Sequence, residues 1–217
     1  MPPELEERVM DYTKKKLSAK RFKHVERVVA TIEEIAAARQ LPVADCRMIG
    51  WLHDCAKEEP RNVFLSLVHR GLIYVDRETM EQPSLWHGFH AAHIGRKVFG
   101  IDNQALLEAV SYHPTGAPGL SAEGLALFVA DYAEPGRPMA WTREIREQAC
   151  QNLVAAAKRV CQEKIYYVLK KGKKLHSRSI DFLKSLSAEG ETLPDFSGGH
   201  GSSGISDDPG EGTGRER

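Results

Sequence analysis

Apolar residues recur along this chain at three- and four-residue intervals rather than at every second position. In 21–39, Val25, Val28, Val29, Ile32, Ile35 and Ala36 fall on one face of a helix. A second helix is expected from Val43 to Lys57, with Met48, Ile49 and Leu52 on its apolar side and Pro60 just beyond. The segment HGFHAAHIGRKVFG, opened by His87, reads as a short further helix. Another is expected to start near Asp102 as N-cap and to carry Leu106, Ala109 and Val110 until Pro114 stops it. Ser121 is placed to cap a helix through Leu125, Phe128 and Val129 that ends at Glu134–Pro135–Gly136, and 139–171 reads as one or two long helices. Only LIYV at 72–75 has a β-like character, so the expected class is all-α, a helical bundle.

Composition changes that picture at one place. From residue 187 onward the chain holds eight glycines and only four apolar residues (Ala188, Leu193, Phe196, Ile205), too few to offset the entropy of ordering it. The reading is a folded domain over 1–186 and a disordered tail over 187–217. That tail takes two of the thirty basic and seven of the thirty acidic residues, leaving the domain with an excess of five positive charges. Such an excess suits a phosphate-rich small molecule and equally a set of solvated lysines. No run approaches the roughly 20 apolar residues that cross a bilayer, and MPPELEERVM lacks the marks of a secretion signal. A cytoplasmic protein is expected. Cys46, Cys55, Cys150 and Cys161 form no CxxC pair and read as reduced packing residues.

Charge placement against the apolar stripes carries the chemistry. His24 lies four residues before Val28, beside the apolar face of its helix; His53 and Asp54 follow the apolar GWL; His113 follows Ala109 and Val110; Asp131 follows Leu127 and Phe128. A carboxylate at the edge of a core is costly to bury unpaired. One divalent cation shared by these groups would neutralise both carboxylates and orient the imidazoles together, and mixed His/Asp ligation suits iron, manganese, cobalt or zinc.

The order His24, His53–Asp54, Asp131 resembles the H…HD…D signature of HD-domain phosphohydrolases. The strings RFKHVERVV, GWLHDCAKE, LWHG, AVSYHPTG and FVADYAEPGR, with KIYYVLKKGKKLH as a last helix, are similar to the YqeK family of symmetrical bis(5'-nucleosyl)-tetraphosphatases over roughly residues 6–186. That resemblance implies an HD-domain bundle and hydrolysis of diadenosine tetraphosphate to two ADP. It implies one or two metal ions, iron in the first place with manganese sharing the preference, held by His24, His53, Asp54 and Asp131. His87 and His113 would complete a second metal site or contact phosphate. Asp54 and Lys57 would be the catalytic pair, with Lys57, Pro114, Thr115 and Arg137 on the substrate side.

This chain departs from the family in carrying Pro114 where a threonine is usual, and His90 and His93 where apolar or aromatic residues stand. His90 and His93 are expected at the surface and outside the ligand set; His69, His176 and His200 are expected to be solvated or structural. The lysine-rich 158–178 is expected as a solvated helix face. Other HD-domain proteins act on nucleotides or guanosine alarmones, and a non-catalytic nucleotide-binding regulator is the reading from another class. No nucleic-acid or membrane partner is expected. The apolar faces fit either a monomer core or a homodimer seam.

Overall fold

A computed structural model describes residues 3–187. The tail expected to be disordered lies, from 188 on, outside the described residues. Eleven helices and one 3-10 turn make up the ordered elements, with no strand among the described residues. They are α1 (Pro3–Lys16), α2 (Ala19–Arg39), α3 (Val43–Leu52), α4 (Arg61–His69), α5 (Arg77–Met80), the turn Pro83–Leu85, α6 (Trp86–Phe99), α7 (Gln104–Tyr112), α8 (Ala122–Ala133), α9 (Thr142–Gln151), α10 (Leu153–Lys170) and α11 (Ser177–Ser185). The LIYV segment forms a loop in which only Ile73 is buried.

The predicted α2 stripe is the spine of the bundle. Val25, Val28, Ile32, Ile35 and Ala36 are fully buried, and the helix packs against α3, α8 and α9. Gly50 on α3 permits close approach, since a Cβ there would sit 3.1 Å from the Val29 side chain. Helix α8 is apolar over most of its circumference, with Gly124 to Ala130 all buried, as expected for a helix surrounded by others.

Several boundaries differ from the sequence-based expectation, each for a local reason. Helix α3 ends at Leu52, not Lys57: His53 makes the last bond to Ile49, and 53–59 then tightens into turns, with Lys57 N–H donating to the Asp54 carbonyl at 2.8 Å. Asn103 rather than Asp102 caps α7, its side chain accepting from the amides of Ala105 and Leu106. The 139–171 stretch is two helices divided at Asn152, which ends α9 and caps α10 by accepting from Ala155 N–H at 3.0 Å. KIYYVLKKGKKLH is not the last helix; α10 stops at Lys170, Gly172 turns left-handed at φ 62°, and α11 follows.

The apolar interior is divided. One large core joins residues of nearly every helix, while Phe64, Ile73 and Trp86 form a separate small cluster with Leu67, Val68, Val75, Met80 and Phe89 around it. Helix α6 belongs to both, with Trp86 in the small cluster and Ala91, Ala92 and Ile94 in the large one. The four cysteines are unpaired, three of them buried, and burial pushes the thiols of Cys46 and Cys161 up to about 12.

Candidate active site

Three imidazoles are fixed by the same device. The Nδ1 of His53 donates to the Gly50 carbonyl at 2.7 Å, and that of His113 to the Val110 carbonyl at 2.8 Å, each three residues back at a helix end. His24 Nδ1 lies 3.1 Å from the Glu134 carboxylate. With Nδ1 engaged, each ring presents Nε2 to the interior, and the acceptor behind it sets the tautomer. A fourth imidazole, His87, starts α6; its Nε2 is 3.1 Å from His113 Nε2 and 3.2 Å from Asp54 Oδ1. Gly88 allows that approach, because a Cβ there would lie 2.5 Å from the Ser111 carbonyl on α7.

The carboxylates face the same point. Asp54 Oδ2 is 3.7 Å from His53 Nε2 and 3.9 Å from His24 Nε2, and Asp131 Oδ1 is 3.2 Å from His24 Nε2. His24 Nε2, His53 Nε2 and Asp54 Oδ1 are buried atoms without a hydrogen bond. Two donor sets have all their ligand atoms within 4.8 Å of one another, His24–His53–Asp131 and His53–Asp54–His113, and they share His53. Buried polar atoms without partners are rare in folded proteins. Their convergence here, in a mixed imidazole and carboxylate set, fits a divalent cation of the first transition row.

Electrostatics support ionised carboxylates at Asp54 and Asp131 and neutral rings at His53 and His87. Burial opposes the charge on Asp54 and Asp131, yet His53 and Lys57 beside the first, and His24 and Arg137 beside the second, hold both well below the usual carboxylate range. Burial lowers His53 to about 3, and burial together with Lys57 lowers His87 to about 4. For His24 burial disfavours the imidazolium, but the neighbouring carboxylates of Asp131 and Glu134 raise it above the ordinary value.

Cations surround this centre. Lys57 Nζ is 3.9 Å from Asp54 Oδ1 and 3.1 Å from His87 Nε2. Arg21 reaches Asp54 Oδ2 at 3.3 Å. The guanidinium of Arg137, expected on the substrate side, is engaged by Asp131, donating to its carbonyl at 2.8 Å and its carboxylate at 3.0 Å. The substrate-side expectation for Thr115 also meets a structural occupation: its hydroxyl donates to Gly116 O, and its carbonyl accepts from Ser179 of α11. Gly116, at φ 70°, lies against the Phe182 ring, which a Cβ would overlap. Pro114 is half-buried. The PTG run thus seats α11.

Three functional candidates were missed. Glu134, 2% exposed, backs His24 and is gripped by Arg27 and the Gly136 amide. Burial opposes its charge, but these bonds hold it at about 2. Lys164, part of the lysine-rich stretch expected to be solvated, points inward: it donates to His113 O at 3.1 Å, lies 3.8 Å from Asp131 Oδ2 and 4.2 Å from the Phe128 ring centroid. Burial lowers it to about 8. His90 is buried, not at the surface. Glu134 could have been noticed as an acid beside Asp131; nothing distinguishes Lys164 from its neighbours in sequence. His69 is exposed, and His176 is structural, capping α11 and bonding Thr79 Oγ1 at 3.0 Å.

Comparisons with known proteins agree with this geometry. The chain is 26% identical over 191 residues to the symmetrical bis(5'-nucleosyl)-tetraphosphatase of Staphylococcus aureus, covering 87% of this chain and 98% of that one. It is also 26% identical over 165 residues to the protein of the same name from Bacillus subtilis, covering 76% and 88%. A crystal structure from Clostridium acetobutylicum, described as a predicted HD superfamily hydrolase involved in NAD metabolism, superposes with a TM-score of 0.78 at 30% identity, covering 83% of this chain and 95% of that one. The HD domain family matches residues 21–136, a span that opens at Arg21 beside Asp54 and takes in all four imidazoles, both aspartates and Glu134. This chain belongs to the HD-domain family.

Proposed function

We propose that this protein is a metal-dependent hydrolase that cleaves a dinucleoside tetraphosphate, diadenosine tetraphosphate in the first place, symmetrically into two nucleoside diphosphates. The observation that carries the metal reading is that the buried Nε2 atoms of His24 and His53 face the carboxylates of Asp54 and Asp131, in two overlapping donor sets whose ligand atoms lie within 4.8 Å of one another. Likeness to two proteins named for symmetrical tetraphosphatase activity, over most of their length, supports the substrate.

In this reading His24, His53, Asp54 and Asp131 hold the first ion, and His87 and His113 with Asp54 either hold a second or meet phosphate. Iron is the metal we favour by the resemblance to the YqeK family, and manganese shares the preference for this donor set. When bound, a divalent cation acidifies coordinated water enough to supply hydroxide near neutral pH. The remaining work falls to side chains. Asp54 and Asp131 stay ionised as ligands, and Glu134 keeps His24 turned inward. Lys57 presents its ammonium where the phosphate chain meets the centre and offsets the negative charge that grows on it in the transition state. Lys164 adds a second fixed cation on the opposite side, next to Asp131. Arg21 and Arg137 restrain the carboxylates rather than the substrate.

A small soluble substrate and the lack, among described residues, of any helix able to cross a membrane fit a cytoplasmic enzyme. Anaerobic purification with elemental analysis, followed by product analysis on diadenosine tetraphosphate, tests the reading. Stoichiometric iron or manganese and two ADP are expected. Metal-free protein with full turnover, or release of ATP with AMP, contradicts it.

A further inference from the structure

Beside the centre lies a cavity of about 270 Å³ that the reaction so far leaves unused. Its wall includes Lys57, Glu59, Phe64, Trp86, His87 and His90. Lys57 and His87 also face Asp54, so the cavity opens onto the phosphate side of the centre. Trp86, His87 and His90 lie within one turn of α6, which places an aromatic floor, a ring at the centre and a ring at the cavity on adjacent positions.

Contacts within the wall hold its side chains to one another. Phe64 and Trp86 stack at 4.8 Å and 15°, and the Trp86 indole N–H donates to the Thr79 carbonyl at 3.0 Å. Glu59 is anchored by Lys16 at 2.7 Å. His90 is only 6% exposed, and its ring lies tilted against Phe64 at 6.5 Å. Burial holds this imidazole below its ordinary value, so it is neutral, with one N–H donor and one bare nitrogen acceptor. A neutral ring in the wall of an open space can give one hydrogen bond to a ligand there and accept another from it.

We infer that this cavity is a nucleobase subsite and that His90 reads the base edge. The inference rests on the proposed function for the location of the phosphates. A ligand here must be anionic where it meets Lys57 and His87 and planar, with both donors and acceptors on its rim, where it meets Trp86, His90 and Glu59. A purine nucleotide has this form. Ligand pockets generally run from roughly 300 to 1,000 Å³, so this one takes a single base with its sugar and leaves the other half of a dinucleotide outside. The Glu59 carboxylate accepts hydrogen bonds only, which favours a base carrying an exocyclic amine over one carrying a carbonyl there.

Equilibrium binding decides the matter without turnover. Titrations of the purified full-length protein with AMP, IMP and ribose 5-phosphate should give affinities in that order, AMP tightest. In His90→Leu, AMP should weaken by roughly three- to tenfold, the worth of one net hydrogen bond, while ribose 5-phosphate binding stays put. His90→Gln, which keeps a donor and an acceptor, should recover most of the loss. Equal affinity for AMP and ribose 5-phosphate in the wild type, or AMP binding indifferent to both substitutions, overturns the subsite. If His90→Leu does not fold, the wild-type series and His90→Gln decide alone. Wrong products from the tetraphosphate would refute the reaction while leaving this binding series to stand or fall by itself.

Discussion

The two flanks of the cleft are held in unlike ways. His24, His53, His113 and Asp131 stand on α2, the end of α3, the end of α7 and α8, all packed into one continuous core. The cavity wall opposite stands on α4, the 70–85 loops and the first turn of α6, whose own core is three buried residues. Full burial of a large apolar side chain contributes roughly 1.5–3 kcal/mol, whereas fixing each backbone residue costs about 1–2 kcal/mol. Three such side chains cannot order residues 61–86 alone, so this flank depends on α6 for its support. The histidine and aspartate flank is held by the large core, and the cavity flank is the part freer to open locally.

Substitutions can break that contrast, beginning with the most severe. Asp54→Asn should abolish both metal retention and turnover, since loss of a ligand exceeds the roughly 10- to 100-fold cost of losing an outer partner. Elemental analysis of the variant at wild-type metal content would refute the ligand role. Next comes a matched pair. Phe→Ala in a packed core costs about 3–5 kcal/mol, and Phe128→Ala should show that loss in global thermal or denaturant unfolding. Phe64→Ala should show it as faster amide exchange across 61–69, with a much smaller change in global stability. Equal global losses would mean that the two cores unfold as one.

Smaller effects probe what lies between the flanks. Glu134→Gln leaves His24 in place but weakens the acceptor behind it, so metal affinity should fall roughly 10- to 100-fold with the fold intact by circular dichroism. Lys57→Met, at the junction of centre and cavity, should cost about tenfold in kcat/KM, the value of one charge-assisted hydrogen bond, without changing metal content. The mildest test is pH. Asp131 and Glu134 raise the His24 pKa in the free protein, and a cation must displace that proton. Affinity is therefore full above the raised pKa and declines below it, by up to about tenfold per pH unit for one proton. Calorimetry in buffers of different protonation enthalpy should detect proton release, and a pH-independent affinity would exclude His24 from the set.

These particular residues also mark how far sequence reasoning reaches. Helix α2 was legible because its stripe repeats locally, and the ligand candidates were legible because each polar group interrupts such a stripe. The end of α3 was not, since 53–59 has helix-compatible residues and only the turn bonds distinguish it. Arg137 is a substrate-side candidate by resemblance, yet its guanidinium lies within reach of Asp131. Thr115 and Gly116 have the look of a binding loop but serve to dock Phe182 and Ser179.

Sequence by itself determined that this chain is a helical bundle with histidines and aspartates at the margins of its apolar faces, because helical periodicity is a property of neighbours three and four residues apart. It also supplied the family likeness that nominates the ligands. Tertiary structure alone decided that Nε2 of His24 and of His53 and the Asp54 carboxylate meet at one point, that Lys164 turns inward from a lysine-rich helix, and that His90 is buried in a cavity wall. Those outcomes depend on how helices distant in sequence pack against each other, and no local spacing encodes the direction in which a side chain will find its partner.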